Sequence, residues 1–360
     1  TISDAMAIAP TDNGDIYVVA DQGANATGLS ARNTLTIGED PSLPTPGQFS
    51  EGDFNPERIK IDIDGNVLPG FGTPQVGPGD LLGDVTGVLR YDNEGFYELV
   101  PTEAFAVNET QLSRETGELE GRDEQLTISS FNVLNLDPSD GSQFDELAAL
   151  IANNMHGPDV IGLQEIQDNS GASDDGTVSA DETLQILVDA IAAAGGPVYE
   201  FIDNTFIGDN TSGGAPGGNI RTGFLYNPER VSLVEGSVTT VAAEIPHDDP
   251  ANPFYGSRLP IVADFTFGDE VVTVVNNHFS SKGGSEPLFG ENQPPLNGSW
   301  DERARQSEAV RDYVAALLAA EPDANVAVVG DLNEFQFFQA VENLKDAGLT
   351  STWDGLDEEE

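Results

Sequence analysis

From Leu126 onward, short apolar strand-like runs alternate with amphipathic helical stretches, and antiparallel hairpins are mixed in. That pattern predicts an α/β (α+β) sandwich of packed β-sheets covered by helices. Before it, short strand-like runs separated by Gly, Pro, Asn and Asp clusters predict a small all-β unit of the Greek-key barrel kind. Between the two, residues 108–125 are polar with little apolar content and read as a linker. The expected organisation is therefore an all-β domain at 1–107, a linker at 108–125 and a larger domain at 126–360, two domains in 360 residues.

In the first domain the strand-like runs are Asp15–Val19, Thr34–Ile37, Arg58–Ile63, Leu82–Arg90 and Gly95–Val100. Gly83–Tyr91 and Phe96–Pro101 read as a hairpin turning at Asp92–Gly95. In the second domain, L-T-I-S-S-F-N-V-L-N-L from Leu126 is a strand, and Phe144–Met155 has helical spacing, stopped by Gly157 and Pro158. Asp159–Leu163 is a buried strand followed by Gln164 and Glu165. Asn169–Asp181 is an acidic loop, Glu182–Ala194 a helix, and Asn204–Gly218 a glycine-rich loop. Ile220–Tyr226 is a strand holding Arg221, and Ile261–Phe267 with Glu270–Asn277 form a hairpin over Gly268 and Asp269 that delivers His278. Asp301–Ala319 and Phe337–Ala347 are helices that flank the stretch A-N-V-A-V-V-G-D-L-N-E-F, Ala324–Phe335.

That stretch is the centre of the chain. Val326–Val329 has the composition of a fully buried strand, and Gly330 breaks it. Asp331 and Asn333 follow; in extended backbone positions i and i+2 face the same way, so both tips are expected in one cleft. An Asp/Asn turn leaving a strand is the simpler reading of the same letters.

Charge and composition narrow the function. Against 63 Asp and Glu stand 14 Lys and Arg, a formal net charge of −49. Such a field repels nucleic acid and anionic lipid at low ionic strength, and salt screens it. The acidity is read as adaptation to saline, marine-like surroundings or to abundant divalent cations. With no cysteine, disulfides, zinc–thiolate sites and cysteine nucleophiles are excluded. No apolar run is long enough to span a membrane. The chain opens on Thr1, which reads as a processed start or as a piece of something longer.

Four strand ends carry groups able to bind a metal or a phosphate: Asn132 after I-S-S-F, Glu165 after V-I-G-L-Q, His278 after V-V-N-N, and Asp331 with Asn333 after V-V-G. Each alone has a structural explanation; together they suit phosphoester hydrolysis, which needs a hard cation, a positioned water and donors for developing charge. Glu165 supplies a carboxylate for Mg²⁺ or Mn²⁺, and Asn132 a neutral contact to metal or phosphate. His278 would donate to a phosphate oxygen, while Asp331 and Asn333 would orient the attacking water. Arg221, Arg258, Lys282 and Asn277 lie near these motifs and are the candidates for phosphate contact.

The order of the motifs S-F-N-V-L-N-L (Ser130–Leu136), D-V-I-G-L-Q-E-I (Asp159–Ile166), N-N-H-F-S-S-K-G (Asn276–Gly283) and V-V-G-D-L-N-E-F (Val328–Phe335) resembles the endonuclease/exonuclease/phosphatase superfamily. The pieces Ile220–Val231 and Gln293–Trp300 look more narrowly like its large extracellular bacterial nucleases, and the first domain resembles the OB-like barrel that precedes the catalytic domain in some of them. The resemblance implies a four-layered sandwich, a secreted metal-dependent nuclease and a DNA or RNA substrate. A phosphatase or phospholipase C-like phosphoesterase of the same fold is the alternative. A third reading is a non-catalytic, cation-binding surface protein, with Ca²⁺ held by the acidic loop Asp168–Asp181.

One departure stands out. The family's late strand ends in an Asp-His pair, yet no histidine follows Asp331; His156 and His247 do not fit the motif, and Asp354 is a poor match for the remaining Asp. The expectation is a second domain truncated at its C-terminus, and a very weak or inactive enzyme if nothing follows Glu360.

Overall fold

The computed structural model describes residues 1–36, 55–92, 95, 97–110, 112–119, 121–287, 292 and 295–352. Ile37, the Asp92–Gly95 turn in part, Gln293 and Asp354 lie outside them or at their edge. The chain forms two compact units. The first consists mainly of Thr1–Ser113 with Gly283–Gly298; the second of Arg114–Lys282 and Ser299–Leu349.

The first unit is all-β. Its strands are β1 (Ile2–Ala7), β2 (Asp15–Val19), β3 (Ile59–Asp62), β4 (Leu81–Val85), β5 (Gly87–Tyr91) and β6 (Tyr97–Pro101), in one sheet of order β4-β1-β2-β3-β6-β5. The run Leu82–Arg90, expected as one strand, is two. Gly87 lies so close to β6 that a Cβ there would stand 2.3 Å from the Val100 carbonyl oxygen, and the chain changes partners at this point. β4 and β5 sit at opposite ends of the sheet yet only Thr86 joins them. The sheet must therefore curl until its two edges approach, the curvature of a small barrel. Ile16 and Val18 alternate on β2, and Ile2 and Ala5 of β1, brought to the same side by a register shift between them, join them in an apolar core inside the curl. Of the expected strand Thr34–Ile37, the described part makes only the isolated bridge Leu29–Leu35.

The second unit has two four-stranded sheets. One contains β7 (Ile128–Leu136), β8 (Val160–Ile166), β9 (Glu200–Ile202) and β10 (Arg221–Tyr226) in the order β7-β8-β10-β9. The other contains β11 (Ser232–Leu233), β12 (Ile261–Phe267), β13 (Glu270–His278) and β14 (Asn325–Asp331) in the order β11-β12-β13-β14. The helices are α1 (Ser142–Ala149), α2 (Asp181–Ala193), α3 (Trp300–Ala320) and α4 (Gln339–Asp346).

Period-two alternation makes the layers. On β8, Ile161 and Leu163 join Leu147 of α1 and Leu184, Leu187 and Ile191 of α2, while Val160 joins Phe224, Phe265 and Val274 between the sheets. On β13, Val275 packs with Val310 and Val314 of α3 and Leu344 of α4, and Val274 faces the other sheet. The result is helices, sheet, sheet, helices: the four-layered sandwich. β14 is only half-buried along its length, because it is the end strand of its sheet rather than the fully buried strand its composition suggested. The helix expected at Phe144–Met155 changes after α1 into a π-turn at Leu150–Asn154, and His156 follows with φ +58°.

The stretch read as linker is tied down over its second half. Gly117 N donates to Asn154 O at 2.8 Å, and Arg230 reaches Arg122 O at 2.7 Å and Gln125 O at 3.0 Å while paired with Asp159.

Candidate active site

Two parallel strand pairs, β7 with β8 and β13 with β14, bring four motifs to one rim. The registers are Asn132 opposite Gln164 and His278 opposite Asp331. Local backbone does the rest. Regular alternation on β8 would send Glu165 to the helix side with Ile161 and Leu163. Instead Glu165 has φ +66°, the strand kinks, and Ile166 takes the helix-facing place. A left-handed glutamate is a strained conformation that surrounding structure must hold, as is common where a side chain is aimed for function. Gly330 has φ +132° and a Cβ there would stand 2.0 Å from the Asn277 carbonyl oxygen, so only glycine lets β14 approach β13 at the rim.

The side chains meet as follows. Asn132 Nδ2 donates to Glu165 Oε1 at 2.9 Å and to Asp331 Oδ2 at 3.2 Å. His278 Nε2 lies 3.8 Å from Glu165 Oε1 and 3.9 Å from Asp331 Oδ2. Asn135 N donates to the second Glu165 oxygen at 3.1 Å. Among the described residues, Glu165, His278 and Asp331 form the one group of His, Asp or Glu donors suited to a metal ion, with ligand atoms all within 4.8 Å of one another. The two carboxylates suit a hard divalent cation such as Mg²⁺ or Mn²⁺, while an imidazole beside them favours softer ions than Mg²⁺.

Burial pushes the His278 imidazole down to about pKa 3, helped by the Arg258 guanidinium and opposed by Asp331. The ring is therefore neutral at ordinary pH and its lone pair is free for a cation. Its Nδ1 is buried without a protein partner. Arg258, 5% exposed, donates to the Phe279 carbonyl oxygen, and its Nε has no partner. Burial pulls its pKa down, while Glu165 and Asp331 pull it back up. Lys282 Nζ donates to Asn333 O at 3.1 Å; burial lowers its pKa against the charge of Glu334 and Asp331, with Arg303 adding to the fall.

Not every expected residue points into this group. Asn132 was expected to touch a metal, but it presents its amide nitrogen to the two carboxylates, and its oxygen accepts from Leu134 N at 2.9 Å. Asn333 is left-handed, φ +49°, so it does not extend beside Asp331. Its N donates to Asp331 Oδ1 at 2.8 Å as an Asx turn and its amide holds Phe279 O at 3.1 Å. Arg221, expected at the phosphate, is 1% exposed and turns to Asp203 Oδ1 at 3.1 Å and Asn219 O at 3.1 Å. Asn277 is sealed in, donating to Val275 O and Val329 O at 3.2 Å, so it braces β13 against β14. In the acidic loop, Asp168 accepts from Ser170 and Asn219, and Asp175 from Thr177, so these carboxylates close the loop on itself.

The residues that hold the rim together carried no assignment in the sequence. Asn276 joins the two sheets, accepting from Gln164 Nε2 at 2.7 Å and donating to Leu163 O at 2.9 Å and Gly223 O at 2.8 Å. Gly162 leaves the room for it: a Cβ there would stand 2.9 Å from both Asn276 and Val329. Beyond Asn333, Glu334 forms a sealed ion pair with Arg303 of α3 at 2.8 Å, and Arg303 also binds the carbonyls of Ser280 and Ser281. All lie inside the motifs or on the next helix, but their partners are distant in sequence.

No curated protein matches the chain. The family model of a domain of unknown function (DUF8508) matches residues 1–111. Among solved structures, humanized D. rerio TDP2 carrying 14 mutations is 21% identical, covering 61% of this chain and 66% of that one, with a TM-score of 0.38. D. rerio TDP2 complexed with single strand DNA product is 21% identical over 62% of this chain and 64% of that one, TM-score 0.36. The mannosyl-6-phosphatase Bt3783 of Bacteroides thetaiotaomicron VPI-5482 is 15% identical over 62% and 71%, TM-score 0.39. The chain thus spans between about half and two thirds of the TDP2 structures it matches. The model of the Endonuclease/Exonuclease/phosphatase family matches residues 129–357, the stretch that holds all four strand-end motifs, and the chain belongs to that family.

Proposed function

We propose that this protein is a divalent-metal-dependent phosphodiesterase that hydrolyses nucleic acid, DNA or RNA, outside the cell in saline surroundings. The observation that carries the reading is the junction at the rim, where the Asn132 amide ties Glu165 to Asp331 beside the neutral ring of His278. Glu165 and Asp331 would hold the cation, which when bound supplies neutralisation of phosphate charge, and His278, expected from the sequence as a donor to a phosphate oxygen, lies close enough to both carboxylates to serve as a third ligand instead. Arg258 and Lys282 flank this junction and draw the phosphate toward it. Asp331, with one oxygen on Asn333 N, is fixed in orientation and would help orient an attacking water. The net charge of −49 supports a saline setting, since a polyanion meets nucleic acid readily only when screened.

The test is hydrolysis of plasmid DNA and of an RNA strand by the full-length protein, with Mg²⁺ or Mn²⁺ and with EDTA. Cleavage that needs the metal, and a Glu165→Gln variant that needs far more of it, are expected. Undiminished cleavage in EDTA would overturn the metal-dependent mechanism. Hydrolysis of sugar or lipid phosphomonoesters with no cleavage of either polymer would make the protein a phosphatase of the same fold.

A further inference from the structure

We infer that His247 is a positioning residue for phosphate binding: its ring pins the turn at 254–257, so that the Arg258 guanidinium is held at the rim for an anion. The inference rests on the phosphoesterase reading above and deepens it.

Arg258 differs from the other sealed arginines. Arg221 and Arg303 each hold a carboxylate. Arg258 is as deeply buried, and its charge interacts with those of Glu165 and Asp331 and with the His278 ring. Yet among the described residues it makes no ion pair, in a chain with 63 Asp and Glu, and it donates only to Phe279 O, through Nη2. A buried cation left without a counter-charge is costly. The cost is explained if the place opposite is kept for an anion. With Nη2 taken and Nε sealed, Nη1 is the nitrogen left to meet it, beside the exposed Gly214.

The backbone on both sides fixes where that guanidinium stands. After Arg258, Asn204 Nδ2 and Thr222 Oγ1 donate to Leu259 O at 2.9 and 3.1 Å, and Thr240 Oγ1 donates to Pro260 O at 2.7 Å. Before it, the carbonyl of the peptide that joins Ser257 to Arg258 lies 2.9 Å from His247 Nε2, and the same nitrogen reaches Phe254 O at 3.0 Å. Both partners are acceptors only, so Nε2 carries the hydrogen and donates to both. The turn they close is tight. Ser257 N donates to Phe254 O at 2.9 Å, Gly256 has φ +66°, and a Cβ at Gly213 would stand 2.0 Å from the Gly256 carbonyl oxygen. A shift here passes straight to Arg258. An apolar side chain could fill the space of the His247 ring, but the two buried carbonyls require its donor.

The experiment is titration calorimetry of the full-length protein with inorganic phosphate in the presence of Mg²⁺ and, separately, with Mn²⁺ alone. Wild type, His247→Asn and His247→Gln are compared. Glutamine can set an amide nitrogen where Nε2 stands, and asparagine is one bond too short. His247→Asn is expected to weaken phosphate binding about tenfold and to leave Mn²⁺ affinity unchanged. His247→Gln should stay near wild type. On bis(p-nitrophenyl) phosphate with Mg²⁺, His247→Asn should raise KM and spare kcat, because Arg258 grips the phosphate in ground and transition state alike. No phosphate binding by the wild type, unchanged affinity in His247→Asn, an equal loss of Mn²⁺ affinity, or an equal loss in His247→Gln would each overturn the role. His247→Leu replaces the Asn variant if circular dichroism shows that one unfolded, and failure of both to fold would make His247 structural and overturn the role too. Phosphate binding that follows the expected pattern, without hydrolysis by the wild type, would leave the positioning role standing and remove the enzyme.

Discussion

Gln164 of β8 and Asn276 of β13 meet amide to amide across the gap between the two sheets, Nε2 to Oδ1 at 2.7 Å, with both side chains sealed from solvent. The contact lies next to Glu165 in sequence and two residues before His278, so it sets the spacing of the groups at the rim. Asn276→Ala would leave the Gln164 amide and the carbonyls of Leu163 and Gly223 without this partner. A loss of about 3 kcal/mol is expected from buried groups left unpaired, read as a lower urea midpoint. An unchanged midpoint would mean that water replaces the clasp at no cost.

Gly330→Ala should act on the same rim through the backbone. The new methyl would stand 2.0 Å from the Asn277 carbonyl oxygen at a φ of +132°, so β14 must move away from β13. Destabilisation of about 2 kcal/mol or more is expected. Mn²⁺ binding should weaken as well, because His278 and Asp331 face each other across that pairing. Thermal unfolding and titration calorimetry check the two effects together.

Salt should raise activity, not lower it. A basic nuclease loses affinity as salt rises because counterions are released from DNA. This chain carries 63 acidic against 14 basic residues, so screening should instead let two polyanions approach. Initial cleavage rates of the full-length protein are expected to climb from low salt toward seawater-like strength, where the screening length falls to about 4 Å. A steep monotonic fall at saturating Mg²⁺, with circular dichroism unchanged, would place the acidic surface away from the nucleic-acid path.

Acid should weaken the second unit partly through His247. Its ring is buried, with Nε2 at 3.0 Å from Phe254 O and 2.9 Å from Ser257 O, and Nδ1 has no partner. Burial lowers its pKa, and the two carbonyls oppose the fall. Because the folded pKa lies below the unfolded one, the unfolded chain binds the proton more readily. Stability is thus lost as pH drops below roughly 6.5. His247→Gln should lose less stability than wild type between about pH 7 and pH 5 by urea unfolding. Parallel declines would assign the acid sensitivity to the carboxylates alone.

Much of the fold could be read along the chain. The runs that became β12 and β13, the hairpin between them, and the helices α2 and α3 lie within a residue or two of where apolar spacing put them. Glu165, His278 and Asp331 were legible for one reason: each is a polar group at the end of an apolar strand, where packing cannot explain it. Asn333 and Arg221 show the limit. Each has the right chemistry in the right motif, yet a left-handed turn sends one amide to Phe279 and the Asp203 carboxylate takes the other's guanidinium.

Local pattern by itself determined the layers, the chemistry available at the strand ends and the polyanionic character of the chain. Those follow from periodicity and composition, which neighbours in sequence already carry. Only the tertiary structure decided which of these groups touch. Glu165 reaches Asn132 and Asp331 because β7 and β14, the end strands of different sheets, come together at the rim, and because one left-handed residue breaks the alternation of β8. Pairings between residues more than a hundred positions apart, such as Gln164 with Asn276, depend on the register of separate strands and on a glycine that leaves room. Neither is encoded in the spacing of any one segment.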